Sequence, residues 1–251
     1  TVTTVQLNEI FRQAKQSRIV VNAHRINSGK MPAADNASDG DFFFIQRESP
    51  EDALSTIITV VNERLPRLGY DPLNDIQVLT PMHKGDVGTL NLNQVLQKRL
   101  NSDRQRPEDN VGGFALGDKV MHLRNNYRKE VFNGDIGILA GIDLEQERAE
   151  VDYDGRKVPY DFVELDELSL AYAISVHKSQ GSEYPAVVIP LLTQHYVMLQ
   201  RNLLYTALSR GKQLVVMVGT AKALNVALKN DRPRQRRSML ARRLNPDIDA
   251  S

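Results

Sequence analysis

Two runs in this chain, Ala186-Val-Val-Ile-Pro-Leu191 and Leu214-Val-Val-Met-Val-Gly219, carry no polar side chain at all. A strand with one wet face alternates apolar and polar residues. A strand without that alternation must be covered on both faces, the condition of a parallel sheet layered between helices. Asp41-Phe-Phe-Phe-Ile45 and Ile76-Gln-Val-Leu-Thr80 read as further strands, and Arg18-Ile-Val-Val-Asn22 reads as a short buried one. Helical patterns lie between them. Val5, Ile10, Phe11 and Ala14 share one face of an N-terminal amphipathic helix. Ser49-Pro50-Glu51-Asp52 combines an N-cap serine, proline at the first helical position and early acids. Ala53, Leu54, Ile57, Ile58, Val61 and Leu65 follow on one face, and Gly69 reads as the terminator. Leu92, Val95, Leu96 and Leu100 mark another helix, and the polar stretch 99–110 a linker. Leu199 to Ser209 reads as a helix with Gly211 at its C-cap, and Thr220 caps a last helix, AKALNVALK. The prediction is an α/β fold with a mostly parallel sheet.

The pattern changes near residue 113. LGDKVMHLRNN, NGDIGILAGID and ERAEVDYDGRKVPYDFVEL are short alternating segments separated by turn residues, and Asp154-Gly155 is a strong hairpin signal. No helix fits between about 114 and 166, so this stretch reads as a small antiparallel β-barrel inserted into the α/β domain.

Composition excludes several chemistries. Without cysteine there are no disulfides, thiolate metal sites or cysteine nucleophiles. No apolar run approaches the roughly 18–20 residues that span a bilayer. The N-terminus lacks a basic segment and an apolar signal core, so no membrane association and a cytoplasmic location are expected. With 32 Lys+Arg against 31 Asp+Glu, the near-neutral balance argues at first against a nucleic-acid binder. The charge is segregated, however. Residues 130–170 hold twelve acids and three bases, net −9, while residues 201–251 hold eleven bases and three acids, net +8. The tail RPRQRRSMLARRL either meets phosphates or another domain, or is a solvated helix.

The densest chemistry is AYAISVHKSQGSEYPAVVIPL, residues 171–191. One buried strand ends in Ser175, His177, Lys178, Ser179 and Gln180, and a Gly-Ser-Glu turn leads into the next. Loops at strand ends of an open parallel sheet are where ligands bind. Donors, one cation and a glycine suit a phosphodiester or a nucleotide; a polar surface loop is the plainer reading. In QRNLLYTALSRGKQLVVMVG, Arg210 stands at a helix end on a rigid base. Its planar fork can hold an oxyanion bidentately, or it satisfies the helix C-terminus. Asn125-Asn126-Tyr127 and Asn133-Gly134-Asp135 are DNA-facing barrel loops or plain turn chemistry. His83, His122 and His195 have no metal-ligand spacing.

HKSQGSEYP (177–185) and YTALSRGK (205–212), in that order and preceded by the barrel, resemble motifs V and VI of superfamily 1 helicases, closest to the RecD-like (1B) branch. The resemblance covers nearly the whole chain. Phe11-Arg12-Gln13 resembles motif IV, and AHRINSGKMP, LTPMHKGDVGTLNLNQVLQ and GDKVMHLRNNY…VFNGDIG resemble RecD-like segments, the last the Src-homology-3 kind of barrel. It implies a RecA-like domain 2A over residues 1–112 and 168–251, interrupted by barrel 2B over 113–167. ATP would lie in the cleft between two RecA-like domains, with Arg12 and Arg210 as arginine fingers and Gln13 and Glu183 as further nucleotide contacts. Thr80, Pro81, Met82, Lys84, Asn93, Ser175, His177, Lys178, Gln180, Gly181 and Ser182 would contact single-stranded DNA. Translocation would run 5′ to 3′.

A P-loop requires G-x-x-x-x-G-K-[ST]. Gly29-Lys30 is followed by Met31 and Gly211-Lys212 by Gln213, with His24 and Thr206 five positions before each glycine. Neither qualifies. The expectation is therefore the C-terminal half of a motor. Mg2+ and most of the ATP would be bound by an N-terminal RecA-like domain outside this chain, and the chain alone would be inactive. Two alternatives stand: a non-catalytic nucleic-acid-binding scaffold with a helicase-like fold, and the helicase part of a conjugative relaxase.

Overall fold

A computed structural model describes residues 17–33, 40–102 and 109–231. The N-terminal helix and the basic tail expected from sequence lie outside the described residues, as do Arg12 and Gln13.

The first element corrects the sequence reading. Arg18–Asn27 is a helix, α1, rather than a strand. Ser17 caps it, its hydroxyl accepting from Val20 N at 3.4 Å and donating to Asp41 at 2.7 Å. Ile19, Ala23 and Ile26 then fall on one buried face at helical spacing. A five-residue window of β-branched side chains fits either period; the cap and the residues after Asn22 decide. Strand β1 is Phe42–Gln46. Helix α2, Pro50–Thr59, starts as its sequence demands, with Ser49 Oγ accepting from Asp52 N at 3.0 Å. A π-helical turn, Val60–Arg64, joins it to α3, Leu65–Arg67. Then come β2 (Ile76–Thr80) and α4 (Thr89–Leu100). After the insert follow β10 (Ala173–Ser175), β11 (Tyr184–Leu191), α5 (Arg201–Leu208), β12 (Gly211–Gly219) and α6 (Ala221–Lys229).

The five strands run parallel in the order β1-β12-β11-β2-β10. Helices α1, α5 and α6 cover one face, packing on Phe42, Val187, Ile189 and Met217. The α2–α4 side covers the other, packing on Ile76, Val188, Val216 and Val218. That double coverage is why β11 and β12 tolerate no polar side chain in their central stretches. Gly211 is not the C-cap of α5; Ser209 is. Gly211 opens β12 instead, where a Cβ would stand 2.3 Å from Val215 Cγ2.

The insert begins with a two-residue hairpin, β3 (Asn110–Val111) and β4 (Phe114–Ala115). Strands β5 (Lys119–His122), β6 (Ile136–Asp143), β7 (Arg148–Tyr153), β8 (Arg156–Asp161) and β9 (Leu168–Leu170) form a separate antiparallel sheet, ordered β8-β7-β6-β5-β9. Val120, Leu139, Val151, Val158 and Tyr160 fill its own core. Asp154 and Gly155 sit at φ +52° and +89°, the left-handed pair that a two-residue hairpin turn requires. A two-turn 3-10 helix, Phe162–Glu167, interrupts the stretch expected to hold no helix.

Two buried polar groups fasten the two sheets together. Asp118 accepts four hydrogen bonds, from Ala115 N (2.7 Å), Asn101 Nδ2 (2.7 Å), Tyr172 Oη (2.8 Å) and Gln97 Nε2 (2.5 Å). The adjacent Lys119 sends Nζ the other way, to the carbonyl of Ile76 in β2 at 3.1 Å.

Candidate functional site

Strands β2 and β10 are neighbours, with Ser175 level with Thr80, so the chains leaving their carboxyl ends share one edge of the sheet. Residues 81–88 form the first loop. Thr80 is buried and its hydroxyl donates to Val87 O at 2.7 Å, which closes the loop and presents His83 and Lys84 to solvent. His83 Nδ1 lies 2.7 Å from Thr89 Oγ1.

Residues 176–183 form the second. Ser179 is buried and donates to Val176 O at 2.8 Å. Around it Lys178 N bonds Ser175 O, and Ser182 N bonds Ser179 O. This backbone leaves His177, Lys178, Gln180 and Gly181 exposed and Ser175 and Ser182 half-buried. Neither Lys84 nor Lys178 has a carboxylate partner among the described residues. Lys178 Nζ instead donates to Asn133 Oδ1, on a barrel loop, at 3.3 Å.

Three predicted DNA contacts do not reach solvent. Thr80 and Pro81 are buried, and Asn93 spends its amide on the chain entering β10. Its Nδ2 donates to Leu170 O and Ala173 O, and its Oδ1 accepts from Ala173 N. A buried polar side chain with its hydrogen bonds made has nothing left for a ligand. These residues position the loops. Met82 is half-buried.

The second loop also runs from the carboxyl-end side of the sheet to its amino-end side. It leaves β10 at its carboxyl end and enters β11 at its amino end, where Tyr184 N bonds Arg210 O at 2.8 Å. The Arg210 guanidinium lies between this loop and α5. Nη1 donates to Ser182 O (3.0 Å), Nε to Thr206 O (3.3 Å) and Nη2 to Ser209 Oγ (3.2 Å). All three acceptors are neutral, so its charge is oriented but not cancelled. Glu183, exposed beside it, lies 3.4 Å from Lys212. His177, Gln180, Asn202 and Thr206 line a groove of about 410 Å³ between the loop and α5.

Residues 170–218 match the UvrD-like helicase C-terminal domain, and residues 92–153 the SH3 domain of ATP-dependent RecD-like DNA helicases. The ATP-dependent RecD2 DNA helicase of Deinococcus radiodurans is 34% identical over 239 residues, 95% of this chain and 32% of that protein. Over nearly its whole length the chain is similar to RecD-like helicases. The RecBCD enzyme subunit RecD of Mycolicibacterium smegmatis is 25% identical over 249 residues, 96% of this chain and 44% of the relative. The chain thus spans less than half the length of either. The Pif1 helicase from Bacteroides, solved with ADP-AlF3 and ssDNA, shares the fold at a TM-score of 0.54 and 18% identity, over 98% of this chain and 57% of that one. The fold is accordingly a RecA-like sheet domain carrying a small SH3-type insert.

Sequence reasoning missed the contacts that fasten the RecD-like insert to its sheet. Asp118 and Lys119 are adjacent charges in the alternating segment LGDKVMHLRNN, and nothing local marks them as buried. Both are buried, and burial lowers the Lys119 pKa to about 8. His122 and His195 are buried, consistent with core roles, and burial lowers the His195 pKa to about 4. Among the described residues no helix is long and apolar enough to cross a membrane, and no cluster of His, Asp and Glu is arranged to hold a metal.

Proposed function

We propose that this chain is the C-terminal motor half of a cytoplasmic ATP-dependent DNA helicase that moves 5′ to 3′ on single-stranded DNA. In this reading residues 1–112 and 168–251 are RecA-like domain 2A and residues 113–167 are the insert 2B, with β9 still paired to the insert. The other RecA-like domain of the protein supplies the P-loop and holds Mg2+, and ATP lies between the two. Arg12 and Arg210 reach the γ-phosphate, and Gln13 and Glu183 touch the nucleotide. Lys84, Met82, Ser175, His177, Lys178, Gln180, Gly181 and Ser182 contact the DNA strand at phosphate and sugar, which gives little base specificity.

The observation that carries the reading is the short loop 176–183. One end presents Lys178, a cation without a carboxylate partner among the described residues; the other accepts a hydrogen bond from Arg210 through Ser182 O. A phosphate that drew Arg210 away from Ser182 would change the support of the loop that grips DNA, so nucleotide state and grip would be coupled. A positioned arginine stabilises the charge that develops on a transferred phosphoryl group.

The test is Arg210→Ala in the full-length protein. DNA-stimulated ATP turnover is expected to fall by about 10³-fold or more, far more than single-stranded DNA affinity, which changes only through the lost support of Ser182. Near-normal turnover would overturn the finger assignment.

A further inference from the structure

The barrel turn between β5 and β6 presents two aromatic rings to solvent that its own core does not use. Tyr127 is 76% exposed and Phe132 45% exposed. The rings pack edge to face, centroids 6.0 Å apart at 78°. Large exposed rings in contact mark a surface with a use.

The turn is rigidly built. Asn126 and Val131 exchange backbone hydrogen bonds of 2.7 and 3.1 Å, and Val131 is fully buried. Arg156 clamps the apex from β8, donating to Lys129 O (2.7 Å) and Glu130 O (2.8 Å). Asn133 N bonds Asn125 Oδ1, and Phe132 N bonds Asp135 Oδ2. The rings therefore need little ordering on binding, which favours contact with a flexible ligand.

Their position names the ligand. Asn133, next to Phe132, holds Lys178 of the candidate DNA loop. Arg128, next to Tyr127, is exposed and has no carboxylate partner among the described residues. The insert is acidic as a whole and Glu130 is exposed in the turn itself, but three further acids nearby are engaged: Glu164 pairs with Lys129, Asp166 with Arg124, and Glu167 lies 3.5 Å from His122. A bare ring flanked by free cations, beside a phosphate-binding loop, matches how proteins hold single-stranded nucleic acid: cations on the backbone and an aromatic face under a base.

We infer that Tyr127, backed by Phe132, stacks a nucleobase of the strand whose phosphates meet Lys178 and Arg128. This rests on the DNA reading of the 176–183 loop and adds a base contact from the insert. Stacking of this kind tolerates any base, so the contact supplies grip without sequence preference.

The experiment measures binding of the full-length protein, at fixed salt, to an oligo-dT and to an equally long strand of abasic sugar-phosphate. Tyr127→Ala is expected to weaken oligo-dT binding roughly 5- to 100-fold and to leave abasic binding unchanged, while Tyr127→Phe retains wild-type behaviour. Lys178→Ala is expected to weaken both ligands alike. Equal effects of Tyr127→Ala on both strands, or no effect on either, overturn the stacking inference, and in that case a protein partner becomes the use of the ring pair. If Lys178→Ala also has no effect, the DNA reading of the loop fails with it. A melting temperature equal to wild type shows that the exposed Tyr127 has not altered folding.

Discussion

Replacing Asp118 by alanine tests what holds the insert to the parallel sheet. The carboxylate is fully buried, and its four donors come from three parts of the chain: Gln97 on α4 with Asn101 at its C-cap, Ala115 on β4, and Tyr172 just before β10. A hydrogen bond to a charged group contributes about 1.5–3 kcal/mol. Simple addition overshoots, because burying the carboxylate carries a desolvation cost. What alanine leaves behind decides the magnitude: the Tyr172 hydroxyl and the Ala115 N–H lose their acceptor, while the amides of Gln97 and Asn101 keep one bond each, to Gly113 O and Leu116 O. A buried donor left unsatisfied costs about 1–3 kcal/mol, so the two together put the loss at about 2–5 kcal/mol. For a chain of this size, that is a melting temperature lower by about 10 °C. Urea unfolding followed by tyrosine fluorescence and far-UV circular dichroism measures it. Because Asp118 is shared between the two sheets, the variant should also separate two transitions that coincide in the wild type. A loss below about 1 kcal/mol with a single transition would refute the reasoning, since it would mean that Asp118 is not what couples them.

Two further outcomes follow from single side chains. Lys119 has its pKa lowered from the ordinary 10.5 to about 8, so between those values the unfolded chain binds more protons than the folded one. Stability should therefore rise from pH 8 to 10.5 and be indifferent to this group below pH 8; Lys119→Met should abolish that rise in the urea midpoint and stabilise the protein at neutral pH. Gly155→Val should destabilise the insert by about 1–2 kcal/mol in thermal melts. No atom stands within 4 Å of the added Cβ, so a milder loss would show that the left-handed turn relaxes to another type.

The sheet was legible because its signals are local. Unbroken apolar runs force two-sided burial, Ser49-Pro50 starts a helix, and Asp154-Gly155 closes a hairpin, each by the chemistry of two to six neighbours. Misreadings came where a distant partner decides. Arg18–Asn22 has strand-like residues, but the Ser17 cap and the later Ala23 and Ile26 make it helical. Asp118 and Lys119 carry no local sign of burial; it comes only from α4, Tyr172 and β2 folded around them. The candidate site divides the same way. Residue types suited to phosphate were visible in 177–182, but only the fold shows that Thr80 and Asn93 spend their polar atoms on scaffolding. Net charge misled for a simpler reason: an acidic insert cancels a basic C-terminal region.

The crossover from Ser175 to Tyr184 has eight intervening residues and no helix, whereas most parallel crossovers spend a dozen or more. Part of its length is drawn up in turns closed at Ser175, His177 and Ser179. It therefore has little slack. Surface connections such as the Leu144–Glu147 turn can gain or lose a residue at small cost, but here a change of one would shift Ser182 relative to Arg210 or unwind the turn carrying Lys178. The segment behaves as a gauge block between the carboxyl-end and amino-end sides of the sheet, and its length is as much a part of the site as the side chains it carries.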